Sequence, residues 1–127
     1  MPFVEISSGG VHYQFEGQAA APVIMLSNSL GATLSMWEPQ VAPFSRSFRV
    51  LRYDTRGHDH SAAPKQPYTI ESLGSDVIEL LDALKIERVH FCGLSMGGVI
   101  GLWLGLNAAA RLDRLVVCNT AARVGTV

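Results

Sequence analysis

The stretch Arg88-Val89-His90-Phe91-Cys92-Gly93-Leu94-Ser95-Met96-Gly97-Gly98 decides how this chain is read. Its first five residues form a run of strand length, and from Met96 to Asn107 the sequence is an apolar helix. Between them lies G-x-S-x-G, a spacing that forces its serine into a sharp strand-to-helix bend and exposes the hydroxyl. Gly93 and Gly97, two residues before and two after, let strand and helix approach closely. The N–H of Met96 sits at the helix N-terminus, facing the point where a carbonyl oxygen would become negative. Ser95 is therefore the candidate nucleophile, with Gly93 and Gly97 as the elbow glycines. A phosphate-cradling reading of the same glycines fails on spacing, because neither G-x-G-x-x-G nor a Walker lysine is present.

Outward from this turn, Pro22 to Leu26 and Phe48 to Tyr53 are further core strands, and Leu115 to Cys118 is a fourth. Trp37 to Phe44 reads as a short helix with Ser35 near its start. Between Thr69 and Leu84 the apolar residues Ile70, Leu73, Val77, Leu80, Leu81 and Leu84 recur at helical spacing, with Thr69 and Ser72 as candidate caps. Phe3 to Ile6 and Val11 to Phe15, separated by Ser7-Ser8-Gly9-Gly10, read as an antiparallel hairpin. Gly57 to Pro67, broken by Pro64 and Pro67, is a loop. Alternating strands and helices predict an α/β fold: a mostly parallel sheet with right-handed crossovers, an antiparallel N-terminal hairpin at one edge, and helices on both faces.

Composition narrows the function classes. The chain has 127 residues, 48% of them hydrophobic, enough for one core and one domain. Ten basic and 11 acidic residues are scattered along it, giving a formal charge of −1 and no footprint for nucleic acid or anionic lipid. No run reaches the roughly 20 apolar residues of a membrane span, and the N-terminus lacks a basic stretch followed by a long apolar one. A cytoplasmic protein with a small-molecule or protein partner is expected. Cys92 and Cys118 each lie in an apolar run and read as small buried hydrophobes.

A serine acyl-transfer site needs a second oxyanion donor from the loop after an earlier core strand, here Ser27-Asn28-Ser29-Leu30-Gly31, and the backbone N–H of Leu30 is the best candidate. Asp54-Thr55-Arg56-Gly57-His58 reads as scaffold, Asp54 and Arg56 holding a turn by hydrogen bonds. In the hydrolase order of nucleophile, acid and histidine, the last two follow the serine in sequence. None of the four histidines, His12, His58, His60 and His90, does so. The only acid after Ser95 is Asp113, which reads as a helix-end or turn residue. A serine without a base is a weak nucleophile, so chemistry requires a part that this chain does not supply.

These residues resemble the α/β-hydrolases and, within them, the 3-oxoadipate enol-lactonases of bacterial aromatic catabolism. Besides the elbow, the resemblance runs through Leu26-Ser27-Asn28-Ser29-Leu30-Gly31, Met36-Trp37, Tyr53-Asp54-Thr55-Arg56-Gly57-His58 and Cys118-Asn119-Thr120-Ala121-Ala122-Arg123. Many hydrolases carry His-Gly where this chain has Asn28-Ser29, and Asp59 stands where the family usually has glycine. The resemblance implies a cofactor-free opening of a carboxylate-bearing enol-lactone: Ser95 attacks, and the N–H groups of Leu30 and Met96 hold the oxyanion. It also implies that residues 1–127 are the N-terminal portion of the hydrolase core, ending where a helical cap begins. Acid and histidine then come from a complementary C-terminal part, which would also cover the apolar strand near Val127. Two other readings stay open: another carboxylesterase or perhydrolase-type enzyme, and a non-catalytic binding protein on the same core.

Overall fold

The computed structural model describes residues 2–56 and 69–120. The loop expected over 57–67, with His58, Asp59 and His60, and the run Ala121 to Arg123 lie outside the described residues.

Among the described residues six strands form one sheet: β1 (Phe3–Ile6), β2 (Gly9–Glu16), β3 (Val23–Ser27), β4 (Arg49–Tyr53), β5 (Val89–Leu94) and β6 (Leu112–Cys118), in the order β1-β2-β4-β3-β5-β6. β1 and β2 are the antiparallel hairpin, with Ile6 opposite Gly9. The turn is thus Ser7-Ser8, and the two glycines expected in it begin β2 instead. β2 runs antiparallel to β4, while β4, β3, β5 and β6 are mutually parallel. The helices α1 (Glu38–Ser45), α2 (Ile70–Ala83) and α3 (Met96–Asn107) lie between the parallel strands in sequence.

The pleat of the central strands divides the interior into two cores. Met25, Leu51, Val89 and Phe91 pack on one face with Leu73, Val77, Leu80 and Leu81 of α2 and with Ile100 and Leu104 of α3. Leu26, Val50 and Cys92 point to the other face, where Trp37, Met36 and Phe44 cover them. Helices on both faces follow, as expected. Four of the six residues in the periodic stripe of α2, Leu73, Val77, Leu80 and Leu81, are buried. Thr69 and Ser72 are one capping box rather than rival caps, since the side chain of each accepts the other's backbone N–H at 3.0 Å. Among the described residues no helix is long and apolar enough to cross a membrane.

Two expectations shift. Trp37 ends a 3-10 turn over Leu34–Trp37 instead of opening α1, because the hydroxyl of Thr33 caps that turn. Asp113 lies within β6, where its carboxylate pairs at 3.0 Å with Arg88, the residue just before β5. β6 is an edge strand with Val116 53% and Val117 38% exposed, the apolar edge anticipated from sequence.

α2 and α3 cross where Gly74 meets the indole of Trp103, and a β-carbon at position 74 would overlap the ring. Helix propensity alone favours Gly74→Ala by about 1 kcal/mol. Overpacking against a rigid indole costs about 1–3 kcal/mol and should dominate. Gly74→Ala is therefore expected to lower the urea midpoint of unfolding; a raised midpoint would show that Trp103 yields.

Candidate active site

The elbow is built from backbones that meet. Ser95 follows β5 and precedes α3 with φ 55 and ψ −112. Such a conformation costs a non-glycine residue about 1–3 kcal/mol and persists only where the surroundings over-determine it. They do so here. The Ser95 N–H donates to the carbonyl of Cys118 at 2.9 Å, and the Ser95 carbonyl accepts from the Gly98 N–H at 2.9 Å and from Thr120 Oγ1 at 2.8 Å. A β-carbon on Gly93 would overlap the backbone of Gly97, and one on Gly97 would overlap the carbonyl of Ser27. Both glycines are thus required by close approach, the physical reason for the motif's spacing. Ser95 and Met96 are half-buried, and Leu30 is 73% exposed.

The loop carrying Leu30 is tied down at both ends. At its start, Asn28 is fully buried: its Nδ2 donates to the Tyr53 carbonyl at 2.9 Å and its Oδ1 accepts from Trp37 Nε1 at 2.9 Å. The Asn28 carbonyl accepts the Gly97 N–H at 3.1 Å, joining this loop to α3. At its far end, the Leu34 N–H donates to Asp54 Oδ1 at 2.7 Å and the Leu34 carbonyl accepts from Arg52 Nη1 at 3.2 Å. Gly31 supplies the turn between, with φ 77.

Asp54 also accepts from His12 Nδ1 at 2.7 Å. The two side chains are 0% and 2% exposed, so this His–Asp pair is sealed from any substrate. Arg56 makes its bidentate pair with Asp76 on α2, two bonds of 2.6 Å. Both residues are structural, but the bonds seen here tie the segment to distant elements, Asp54 to His12 and Leu34 and Arg56 to Asp76, and not to a local turn. His90 lies edge-to-face against Phe48, with ring centroids 5.5 Å apart. Arg52 was not singled out from sequence; it is buried and paired with Glu16 at 2.6 Å and Glu38 at 2.8 Å. Among the described residues no cluster of three or more His, Cys, Asp or Glu side chains could hold a metal.

Burial pushes the Tyr53 phenol, bonded to Ser27 Oγ at 2.7 Å, up to about 12. Cys92 is likewise pushed up to about 11 by burial and by Cys118, so it is not a reactive thiol.

The alpha/beta hydrolase fold family matches residues 22–125. A 3-oxoadipate enol-lactonase of Acinetobacter baylyi is 49% identical over 91% of this chain and 43% of its own length. The crystal structure of the enol-lactonase from Burkholderia xenovorans is 57% identical with a TM-score of 0.95, covering 98% of this chain and 48% of that one. A putative carbamate hydrolase of a Caulobacter species is 39% identical over 90% of this chain and 44% of its own length. The chain thus spans about half the length of the relatives it matches.

Two outcomes are expected. Asn28→Ala leaves the Trp37 N–H and the Tyr53 carbonyl buried without a partner, at about 1–3 kcal/mol each. It should lower the denaturant midpoint and shift Trp37 fluorescence, whereas an unchanged spectrum would deny Asn28 its anchoring role. For Tyr53, the folded phenol titrates near 12 against an ordinary 10.0, so the folded state holds the proton more tightly. Its contribution to stability is complete below pH 10 and lost as pH rises toward 12. A pH series of unfolding should show this loss, and Tyr53→Phe should abolish it.

Proposed function

The chain belongs to the alpha/beta hydrolase fold family, and from that membership we propose that it carries the nucleophile and oxyanion hole of an enol-lactone hydrolase. The observation that carries this reading is the strained backbone of Ser95 at the head of α3. Identities of 49% and 57% with enol-lactonases support the lactone substrate over the carbamate suggested by the relative at 39%.

In the proposed reaction, Ser95 Oγ attacks the lactone carbonyl of 3-oxoadipate enol-lactone while a histidine takes its proton. The carbonyl oxygen becomes negative and is held by the N–H groups of Met96 and Leu30, electrostatic stabilisation that is present before reaction begins. Collapse of the tetrahedral intermediate breaks the ring ester bond. The departing enolate takes the proton from the histidine and becomes a ketone, which frees the histidine as base again, and the acyl group stays on Ser95. Water, its proton drawn off by the same histidine, attacks the acyl-enzyme and releases 3-oxoadipate.

No histidine follows Ser95 in this sequence. The histidine and its acid are therefore assigned to a complementary part beyond residues 1–127, an assignment supported by relatives about twice as long. The chain alone is then expected to be nearly inert.

The test is labelling with a fluorophosphonate, followed by intact-mass analysis. In the protein that contains these residues with their complement, Ser95 should carry the label. Ser95→Ala should abolish labelling and lower enol-lactone turnover by roughly 10⁴-fold or more. Label on another residue, or turnover that survives Ser95→Ala, rejects the nucleophile; turnover of a carbamate but not the lactone rejects the substrate.

A further inference from the structure

At the end of β6, Asn119 adopts φ 47, a left-handed conformation that asparagine tolerates better than most residues. The chain turns there so that the next side chain, Thr120, comes back over the elbow. Its Oγ1 donates to the Ser95 carbonyl at 2.8 Å, while the residue before the turn, Cys118, accepts the Ser95 N–H at 2.9 Å. Thr120 also closes on α3: a β-carbon on Gly98 would stand 2.7 Å from Thr120 Cβ and Cγ2. This strand end therefore grips both polar groups of the nucleophile's backbone.

The Ser95 carbonyl and the Met96 N–H belong to one peptide unit. Because that unit is planar and trans, the two groups point in opposite directions, and holding one aims the other. Within α3 the Ser95 carbonyl also accepts from Gly98 N–H at 2.9 Å and Val99 N–H at 3.2 Å. Among the described residues Thr120 adds the one side-chain bond, arriving from the end of the sheet rather than from the helix. We propose that Thr120 is a positioning residue that sets the tilt of the Ser95–Met96 peptide and so aims the Met96 N–H at the developing oxyanion. The proposal rests on the reading of Ser95 as nucleophile and Met96 as oxyanion donor.

Thr120→Val keeps the shape and removes the hydroxyl; Thr120→Ser keeps the hydroxyl. In labelling by a fluorophosphonate, Ser95 Oγ bonds phosphorus, fluoride leaves, the serine proton goes to the histidine, and the phosphoryl oxygen occupies the oxyanion site. In the catalytically competent protein, Thr120→Val should slow labelling and kcat by about tenfold, short of the roughly 10²–10³ lost with a whole oxyanion donor. KM should stay within about twofold, since the interaction belongs to the transition state. Thr120→Ser should restore the rate. Independently of reactivity, the amide resonance of Met96 should move in Thr120→Val and return in Thr120→Ser. A Thr120→Val protein that labels at the parent rate overturns the proposal, as does a Thr120→Ser protein as slow as Thr120→Val, which would assign the effect to packing. If the parent itself does not label, the nucleophile reading fails first, and an unmoved Met96 amide then overturns the positioning claim as well.

Discussion

Where β5 turns into α3, three stretches of backbone meet at a spacing that admits no β-carbon, Gly93 against Gly97 and Gly97 against Ser27. This close approach holds the strand end, the helix start and the neighbouring strand end in one rigid corner. Ser95 has no room to relax out of its strained conformation without pulling that corner apart. The same contact brings the loop after β3 beside the helix N-terminus, since Gly97 donates its N–H to the carbonyl of Asn28. One packing constraint thus sets the geometry of both proposed oxyanion donors relative to the serine.

The loop holding Leu30 would be free to move if only its ends in the sheet restrained it. Buried polar side chains restrain it further. Asn28 secures its entry, and Asp54 and Arg52 hold the N–H and C=O of Leu34 at its exit. Arg52 is 2% exposed, and burying its charge is costly unless paired; Glu16 and Glu38 offset that cost. His12 Nδ1 gives the buried Asp54 carboxylate a hydrogen-bond partner at 2.7 Å. Apolar packing at these positions would serve stability as well, but it would not fix the direction of a backbone N–H. A directional network under an exposed loop is what pre-organised electrostatic stabilisation demands.

The strands and helices were legible because their signals are local. The stripe from Leu73 to Leu81 is a periodicity, and Gly93-Leu94-Ser95-Met96-Gly97 is a spacing whose context of strand then helix is itself local. What escaped the sequence is contact at long range. Arg52 meets Glu16 across 36 positions, Asp54 meets His12 across 42, and Thr120 meets Ser95 across 25. The position of Asp113 has the same cause: its partner Arg88 immediately precedes β5, and only the β5–β6 pairing brings the two together. Asn28 was visible as a departure from His-Gly, but its part as a three-way anchor needed Tyr53, Trp37 and Gly97 in space.

On the proposed reading, catalysis divides along the chain in a physically meaningful way. Residues 1–127 hold the groups whose role is to stay still: a strained nucleophile and two backbone donors, fixed by glycine contacts and buried hydrogen bonds. The histidine that must exchange protons, and the acid that orients it, belong to the complementary part. Electrostatic stabilisation depends on rigidity and so is built where a parallel sheet and a helix N-terminus supply it. Proton transfer depends on a side chain that can reach both serine and water. An oxyanion site formed entirely on one side of that division should persist as geometry without the other, even where turnover does not. The two contributions to the rate are therefore separable in this fold, one read from backbone position and the other from the presence of the base.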